Sequence, residues 1–386
     1  MPLILQSSAA EKLEETWPKR RDELVEIFAS QMYGTFPTSP YESGCELIEE
    51  GTTLGGLARR CQYRIKLETT AAKHEFDVLV FTPANANEPV PAFLGLSFYG
   101  NHTVAKDPEI TLTPSWSRDS KDKGVKQNRA TETGRGSSAS RWPVELLVRN
   151  GYGLVTAYCG DIDPDFDDGF ENGVHKLFPE HRPNEQHPDR WGTISAWAWG
   201  MSRMLDAMDS VQSIEQSEVI AIGHSRLGKT ALWAGVADSR FAGAISNNSG
   251  CGGAALSKRA IGETVGRINT VFPHWFAGNF KAFNENEQAL PFDQHQLIAA
   301  MAPRPVYVAS ASGDKWADPH GELIAAFEAS KLYAKLGFEP LASSELPEPN
   351  SGFEGRVSYH LRDGRHDIQA WDWQRYIDFA KEQLVK

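Results

Sequence analysis

The segment Val219-Ile220-Ala221-Ile222-Gly223-His224-Ser225-Arg226-Leu227-Gly228-Lys229 carries an apolar stretch into Gly-x-Ser-x-x-Gly and then into a helical pattern. A serine on a sharp strand-to-helix turn has its hydroxyl exposed for attack on an acyl carbon. Small neighbours let the backbones pass closely, and the helix N-terminus offers N–H groups to an oxyanion. The usual spacing is Gly-x-Ser-x-Gly, and here the second glycine comes one residue late. A Ser/Gly turn of any doubly wound protein would read the same, so the partners decide. A nucleophilic serine needs a base, and the base needs an acid. The chain order on this type of sheet is Ser, acid, His. Pro305 to Ala311 reads as a strand ending in a loop with Asp314, and Val357 to Arg362 as a strand followed by a turn with His366. Ser225 is therefore the expected nucleophile, His366 the base and Asp314 the acid. His360 is a rival base that falls inside the strand pattern. Asp318 and Glu263 are rival acids if the loop after the Asp314 strand folds back.

The elements that must position these residues follow from periodicity. Trp17 to Tyr33 repeats apolar residues at helical spacing, and Gly34 to Pro40 ends it. Cys61 to Leu67 and Phe76 to Phe81 alternate with period two, as antiparallel strands do. Five short apolar runs follow: Ala92 to Phe98, Gly153 to Tyr158, Val219 to Ile222, Phe241 to Ile245 and Val306 to Ala309. Helical patterns separate them, at Val144 to Arg149, Ile194 to Met208, Lys229 to Ala237 and Leu323 to Lys335, with a last one from Asp372 to Leu384. Apolar strands alternating with helices predict an α/β-hydrolase arrangement, a mostly parallel, doubly wound sheet covered by helices on both faces. No linker divides the chain, so residues 1–386 read as one catalytic domain with an N-terminal helix. Asp107 to Ser140 and Asp161 to Arg190 read as long surface insertions.

Composition narrows the classes. A formal net charge of -12 and the lack of any Lys/Arg run speak against a nucleic-acid partner. No apolar stretch approaches the roughly 18 residues of a membrane span. Met1 to Gln6 lacks the basic start and apolar length of a signal peptide, so the protein stays inside the cell or its numbering begins after a removed leader. The four cysteines form no C-x-x-C pair and lie at no zinc-ligand spacing; Cys159 and Cys251 read as buried thiols. The run Asp161, Asp163, Asp165, Asp167, Asp168 lacks the glycine and glutamate of a calcium loop and reads as a solvated loop. No metal or cofactor is expected.

Beyond the triad, several stretches resemble carbohydrate esterase family 15, the glucuronoyl esterases, in their bacterial form. Gly223 to Lys229 looks like the family's G-x-S-R-x-G-K, which accounts for the late glycine. Asn247 to Ala254 (N-N-S-G-C-G-G-A), Gly262 to Val265 (G-E-T-V), Phe272 to Phe276 (F-P-H-W-F), Leu290 to His295 (L-P-F-D-Q-H), Ala302 to Pro305 (A-P-R-P) and Gly313 to Pro319 (G-D-K-W-A-D-P) continue the resemblance in order. It runs from about residue 90 onward. It implies cleavage of the ester between 4-O-methyl-D-glucuronic acid on xylan and lignin alcohols, no cofactor, and a secreted or periplasmic location. The partner would be a glucuronate ester or glucuronoxylan oligosaccharide, met by a monomer.

The resemblance also implies roles. Arg226 would stabilise the oxyanion through its backbone N–H and guanidinium; a cation in the first turn of a helix otherwise opposes the dipole. Lys229, one helical turn past Ser225, shares its face and would reach sugar hydroxyls, whereas the ordinary reading is a solvated lysine. Glu263 and Trp316 match positions that grip the sugar, Trp316 by offering a ring face and an N–H. Asn248 stands where many members carry a glutamate acid and reads as a polar bystander. His274 reads as a structural histidine. The alternatives are an esterase for acetyl or methyl esters, and a weakly active carbohydrate-binding protein on the same scaffold. Lys229, Glu263 and Trp316 together favour a uronate.

Overall fold

Apolar residues on both faces of the central strands create two cores. Val219 and Ala221 enter one and Ile220 and Ile222 the other; Ala92 and Leu94 are likewise divided from Phe93, and Val306 and Val308 from Tyr307 and Ala309. A strand with period-two side chains and no polar face must be covered twice. The computed structural model describes residues 2–4 and 13–384. Of the opening stretch Met1 to Gln6, residues Met1, Leu5 and Gln6 lie outside that range.

In chain order the strands are β1 (Glu42–Thr53), β2 (Ala58–Glu68), β3 (Lys73–Pro83), β4 (Val90–Ser97), β5 (Val125–Lys126), β6 (Arg129–Ala130), β7 (Gly153–Tyr158), β8 (Ile214–His224), β9 (Gly243–Asn247), β10 (Val306–Ala311), β11 (Ser351–Phe353) and β12 (Val357–Arg362). The helices are α1 (Leu13–Phe28), α2 (Val144–Arg149), α3 (Cys159–Ile162), α4 (Thr193–Ala207), α5 (Arg226–Ala237), α6 (Val265–Val271), α7 (Gln294–Ala299), α8 (Pro319–Lys335) and α9 (Ala370–Gln383). Ten strands form one sheet in the order β1-β2-β3-β7-β4-β8-β9-β10-β12-β11. From β7 to β12 every pairing is parallel, while β1, β2, β3 and β11 pair antiparallel. Side chains of α2 and α9 fill one core; those of α1, α4, α5, α7 and α8 fill the other. This is the three-layer α/β-hydrolase architecture expected from the sequence.

The chain passes from β4 to β7 on one side, while β8 lies on the other. Such a reversal opens a crevice at the carboxyl ends of the strands, where ligands bind in open α/β sheets. The C-terminal ends of β4, β7, β8, β9, β10 and β12 all lead into loops bearing residues of the site described below.

Two readings need correction. The edge strand β1 is missing from the periodicity analysis because it is mostly exposed and lacks an alternating apolar face. The stretch Asp161 to Arg190 is not simply a surface insertion, and its acidic run is not a solvated loop. Asp161, Asp163 and Asp165 are buried, and only Asp167 and Asp168 face outward to any degree. Each buried carboxylate has a partner: Thr113 for Asp161, His175 at 2.8 Å for Asp163, Arg226 at 2.9 Å for Asp165. Burying an unpaired carboxylate would cost far more than exposing it, so pairing is what lets the run fold inward. Cys159 and Cys251 are buried, as expected.

The elbow depends on close backbone contact. A Cβ on Gly223 would lie 1.9 Å from the carbonyl oxygen of Leu227, whereas one on Gly44 would meet nothing within 4 Å. Gly223→Ala is expected to destabilise the protein by about 1–3 kcal/mol or more, as overpacking does, and Gly44→Ala to leave it within about 0.5 kcal/mol. Chemical denaturation of the two variants beside the parent checks this, and equal stabilities would refute it.

Candidate active site

β8 ends at His224 and α5 begins at Arg226, so Ser225 alone makes the turn, with φ 58° and ψ -130°. For a residue with a Cβ this is a sparsely populated conformation costing on the order of 1–3 kcal/mol. The surrounding backbone holds it there. The Ser225 amide donates to the Asn247 carbonyl at 2.9 Å, and its own carbonyl accepts from Gly228 N–H at 2.8 Å. A Cβ on Gly228 would sit 3.0 Å from the Gly223 carbonyl and 3.1 Å from that of Asn247. The late glycine therefore lets the first turn of α5 lie against β8 and β9. Ser225 remains partly exposed.

The loop after β10 supplies Asp314 and the loop after β12 supplies His366. Their side chains meet, with His366 Nδ1 2.6 Å from Asp314 Oδ2. The acid is buried and the imidazole 42% exposed, as a group that must reach a substrate has to be. Asp314 also accepts a hydrogen bond from Asn248 Nδ2 at 2.9 Å. Burial alone would raise the Asp314 carboxyl, but the hydrogen bond and charge of His366 and the Asn248 amide outweigh it and hold the group below its ordinary range. With Nδ1 committed to Asp314, Nε2 is the nitrogen left for proton transfer. His360, the rival base, is buried and bonded to Asp372 at 2.8 Å and Tyr307 at 3.1 Å. Asp318 caps α8 and pairs with Arg259 at 2.7 Å, and Glu263 pairs with Lys229, so both rival acids are engaged elsewhere.

Asn248 is thus a correction. It is buried beside the acid and bonded to it, not a bystander. Its backbone takes φ 48°, and its amide donates to the Ala309 carbonyl at 2.7 Å. The next two backbone amides, of Ser249 and Gly250, donate to Glu322 Oε1 at 2.8 and 2.9 Å, and Ser310 donates to Glu322 Oε2 at 2.6 Å. Burial pushes the Glu322 carboxyl up to about 8 in spite of these donors. Glu322, near the start of α8, ties the Asn248 loop to β10 under Asp314. The sequence signal for it was only a glutamate among helix formers.

His224 precedes the serine and its ring lies 4.5 Å from that of His366, centre to centre. Burial, reinforced by the charge of a protonated His366, holds it neutral, far below the ordinary histidine range. A neutral His224 donates from Nδ1 to Asn247 Oδ1 at 2.6 Å, and Asn247 donates on to Tyr376 at 2.8 Å. A second imidazolium beside His366 is thereby avoided.

On the other side of Ser225 stands Arg226. Its guanidinium lies 4.5 Å from the centre of the Phe98 ring, at the end of β4, and its Nε is 2.9 Å from Asp165 Oδ2. The Nε–H makes no in-line hydrogen bond, so the attraction is one of charge. Asp165 Oδ1 accepts from Trp275 Nε1 at 2.8 Å and His274 Nε2 at 3.2 Å. Burial would raise Asp165, but Arg226 and the His274 and Trp275 donors outweigh it and hold the carboxyl far below its usual range. His274 is buried, with its Nε2 on Asp165. The signal that could have found Asp165 is its position just past the C-terminal end of β7, where functional loops of such sheets lie.

Lys229 is buried, which removes the reading of a solvated lysine. Its Nζ donates to the Ser249 carbonyl at 2.5 Å and lies 3.4 Å from Glu263 Oε2. The Glu263 amide donates to the Trp316 carbonyl at 2.9 Å, and Gly262 packs against the same carbonyl. The Trp316 side chain is 53% exposed, a large ring left in water at the end of the Asp314 loop. A cavity of about 670 Å³ over the antiparallel strands, lined by Glu42, Lys66, Lys73, His74 and Lys176 among others, includes none of these residues.

Comparison with known proteins places the whole chain among carbohydrate esterases. The family described as glucuronyl esterase of fungi matches residues 184–337. A carbohydrate esterase of an unknown prokaryotic organism is 46% identical over 100% of this chain and 89% of its own. The structure of a promiscuous CE15 esterase from a marine bacterial metagenome superposes with TM-score 0.90 at 46% identity, over 98% of this chain and 94% of that one. The glucuronoyl esterase of Solibacter usitatus gives TM-score 0.91 at 40% identity, over 100% and 98%. Fungal 4-O-methyl-glucuronoyl methylesterases match shorter stretches, that of Wolfiporia cocos at 33% identity over 37% of this chain and 38% of its own. With a relative this similar along nearly its full length, the chain belongs to carbohydrate esterase family 15, the glucuronoyl esterases, which are carboxylic ester hydrolases.

Proposed function

We propose that this protein, acting as a single catalytic domain and a monomer, hydrolyses the ester between 4-O-methyl-D-glucuronic acid and an alcohol of the lignin type, with Ser225 as nucleophile. The observation that carries the reading is the strained turn at Ser225 together with a part-exposed His366 held by buried Asp314, its ring 4.5 Å from that of His224, the residue before the serine. In the proposed course, Ser225 Oγ attacks the ester carbon while His366 Nε2 takes its proton. Asp314 keeps the imidazole in the productive tautomer and offsets the imidazolium charge. The Arg226 N–H, at the start of α5 where helix amides lack intrahelical partners, and the Arg226 guanidinium receive the oxyanion. The tetrahedral adduct then expels the alcohol, which takes the proton from His366. Water, activated by the same imidazole, releases the uronic acid from the acyl-enzyme.

Lys229, Glu263 and Trp316 support a uronate over a small acetyl group. They give a buried cation, a carboxylate and an exposed ring joined through one loop contact, a set suited to hydroxyls and the C–H face of a sugar. An acetyl ester would use none of them.

The reading is tested by hydrolysis of benzyl glucuronate beside p-nitrophenyl acetate. A clear preference for the uronate is expected, and Ser225→Ala is expected to abolish turnover with the fold unchanged by circular dichroism; wild-type turnover in the alanine variant would remove Ser225 from the chemistry. Asp314→Asn is expected to lower kcat by orders of magnitude, on the scale of the roughly ten-thousandfold known for a serine-protease acid. Asn248→Ala, which removes one hydrogen bond to that carboxylate, should cost about ten- to a hundredfold, equivalent to about 1.5–3 kcal/mol. Steady-state kinetics on the two side by side would reverse the assignment if Asn248→Ala were the more damaging. Trp316→Ala should raise KM for glucuronate esters at least several-fold and leave KM for acetyl esters nearly unchanged. Equal losses on both substrates would make Trp316 a structural support.

A further inference from the structure

We infer that Asp165 is a positioning residue for the reaction, acting through Arg226 to hold the guanidinium where the oxyanion forms. The inference rests on the oxyanion role proposed for Arg226 and adds to it the group that makes that role possible. Arg226 sits in the first turn of α5, where the helix dipole repels a cation. Its side chain is long, with several rotatable bonds, and retains 24% exposure, so water competes for the guanidinium. A fixed anion beside the guanidinium restrains it. Asp165 is the buried anion within ion-pair reach, at 2.9 Å, and the Phe98 ring lies 4.5 Å away as a second surface.

Asp165 is itself fixed. Its backbone follows α3 at the end of β7, and its other oxygen is held by Trp275 at 2.8 Å and His274 at 3.2 Å. Both rings come from the Phe272 to Phe276 segment, where Trp275 also stacks on Phe272 at 3.7 Å. The order of support therefore runs from a packed aromatic segment to the carboxylate, and from the carboxylate to the guanidinium. The carboxylate faces Nε rather than replacing the whole cation. A donor aimed in advance at a developing charge stabilises the transition state without reorganising, and that advantage is lost when the donor is free to turn into water. Losing Asp165 leaves the positive charge in place but removes its aim. Asp165 has no contact with Ser225 or His366 among its hydrogen bonds and ion pairs, which separates this role from that of the triad.

The test is a double-mutant cycle on benzyl glucuronate with the wild type, Asp165→Asn, Arg226→Ala and the double variant, each checked for folding by melting temperature. Asp165→Asn is expected to lower kcat about ten- to a hundredfold, below the 10²–10³-fold typical of deleting an oxyanion donor, with KM changed less than about threefold. In the Arg226→Ala background the same substitution should change kcat less than about twofold, since neighbours that act through one another are not additive. Asp165→Glu should recover part of the loss. If Asp165→Asn lowers kcat equally in both backgrounds, or not at all, the positioning role is overturned. If Arg226→Ala itself keeps wild-type kcat, the oxyanion reading of Arg226 fails first, and the inference with it. Should Asp165→Asn fail to fold, His274→Ala, which removes the Nε2 donor to Asp165, enters the same cycle and is read by the same criteria.

Discussion

The turn at Ser225 is the constraint on which the rest of the site depends. A serine at φ 58° persists only where the chain on either side cannot relax. Here β8 is buried between β4 and β9, and α5 packs directly onto the sheet. Gly223 and Gly228 remove the two side chains that would force strand and helix apart. The hydrogen bond from Ser225 N–H to the Asn247 carbonyl then ties the turn to β9. Asn247 also accepts from His224 at 2.6 Å, so the same strand end that anchors the nucleophile orients the neighbouring imidazole, which burial keeps neutral.

Among the carboxylates buried around that turn, Asp314, Asp165 and Glu322 differ in how they are held. Asp314 is held ionised by an imidazole and an amide. Asp165 is held ionised by a guanidinium and two ring N–H donors. Glu322 receives two backbone amides and two hydroxyls but no cation, and burial pushes its carboxyl up to about 8. The physical distinction is a partner that carries, or can take up, a positive charge. In a poorly solvated interior, hydrogen bonds offset part of the loss of water, and a paired charge offsets more. Asp165 faces a guanidinium and Asp314 an imidazole that becomes positive when it takes a proton, whereas Glu322 lies beneath the loop that carries Asn248 and faces neither.

The organisation of the site was legible in the sequence wherever chain order carried it. The elbow, the strand leading to Asp314 and the turn leading to His366 follow one another along the chain, and strand periodicity is a local property of side chains. His360 could be set aside because it falls within a strand, and the structure buries it against Asp372. The fold was legible for the same reason. Residues 219–222 and 306–309 are apolar at successive positions, and only a sheet covered on both faces accommodates that. The edge strand β1, with no apolar period, was not legible.

What the sequence determined by itself, then, is the order of the elements, the elbow with its displaced glycine, and which serine, acid and histidine could meet. What only the tertiary structure decided is which polar residues are buried and what they face. Asp165 looks in the sequence like one of five aspartates in a polar loop, yet it is folded inward against Arg226, 61 positions further along the chain. Asn248 reads as a bystander until β10 brings Asp314 against it from 66 positions away. Periodicity records how a residue meets its near neighbours along the chain. The environment of a buried charge is set by groups that only the closed sheet brings within a few ångströms, and no local pattern encodes them.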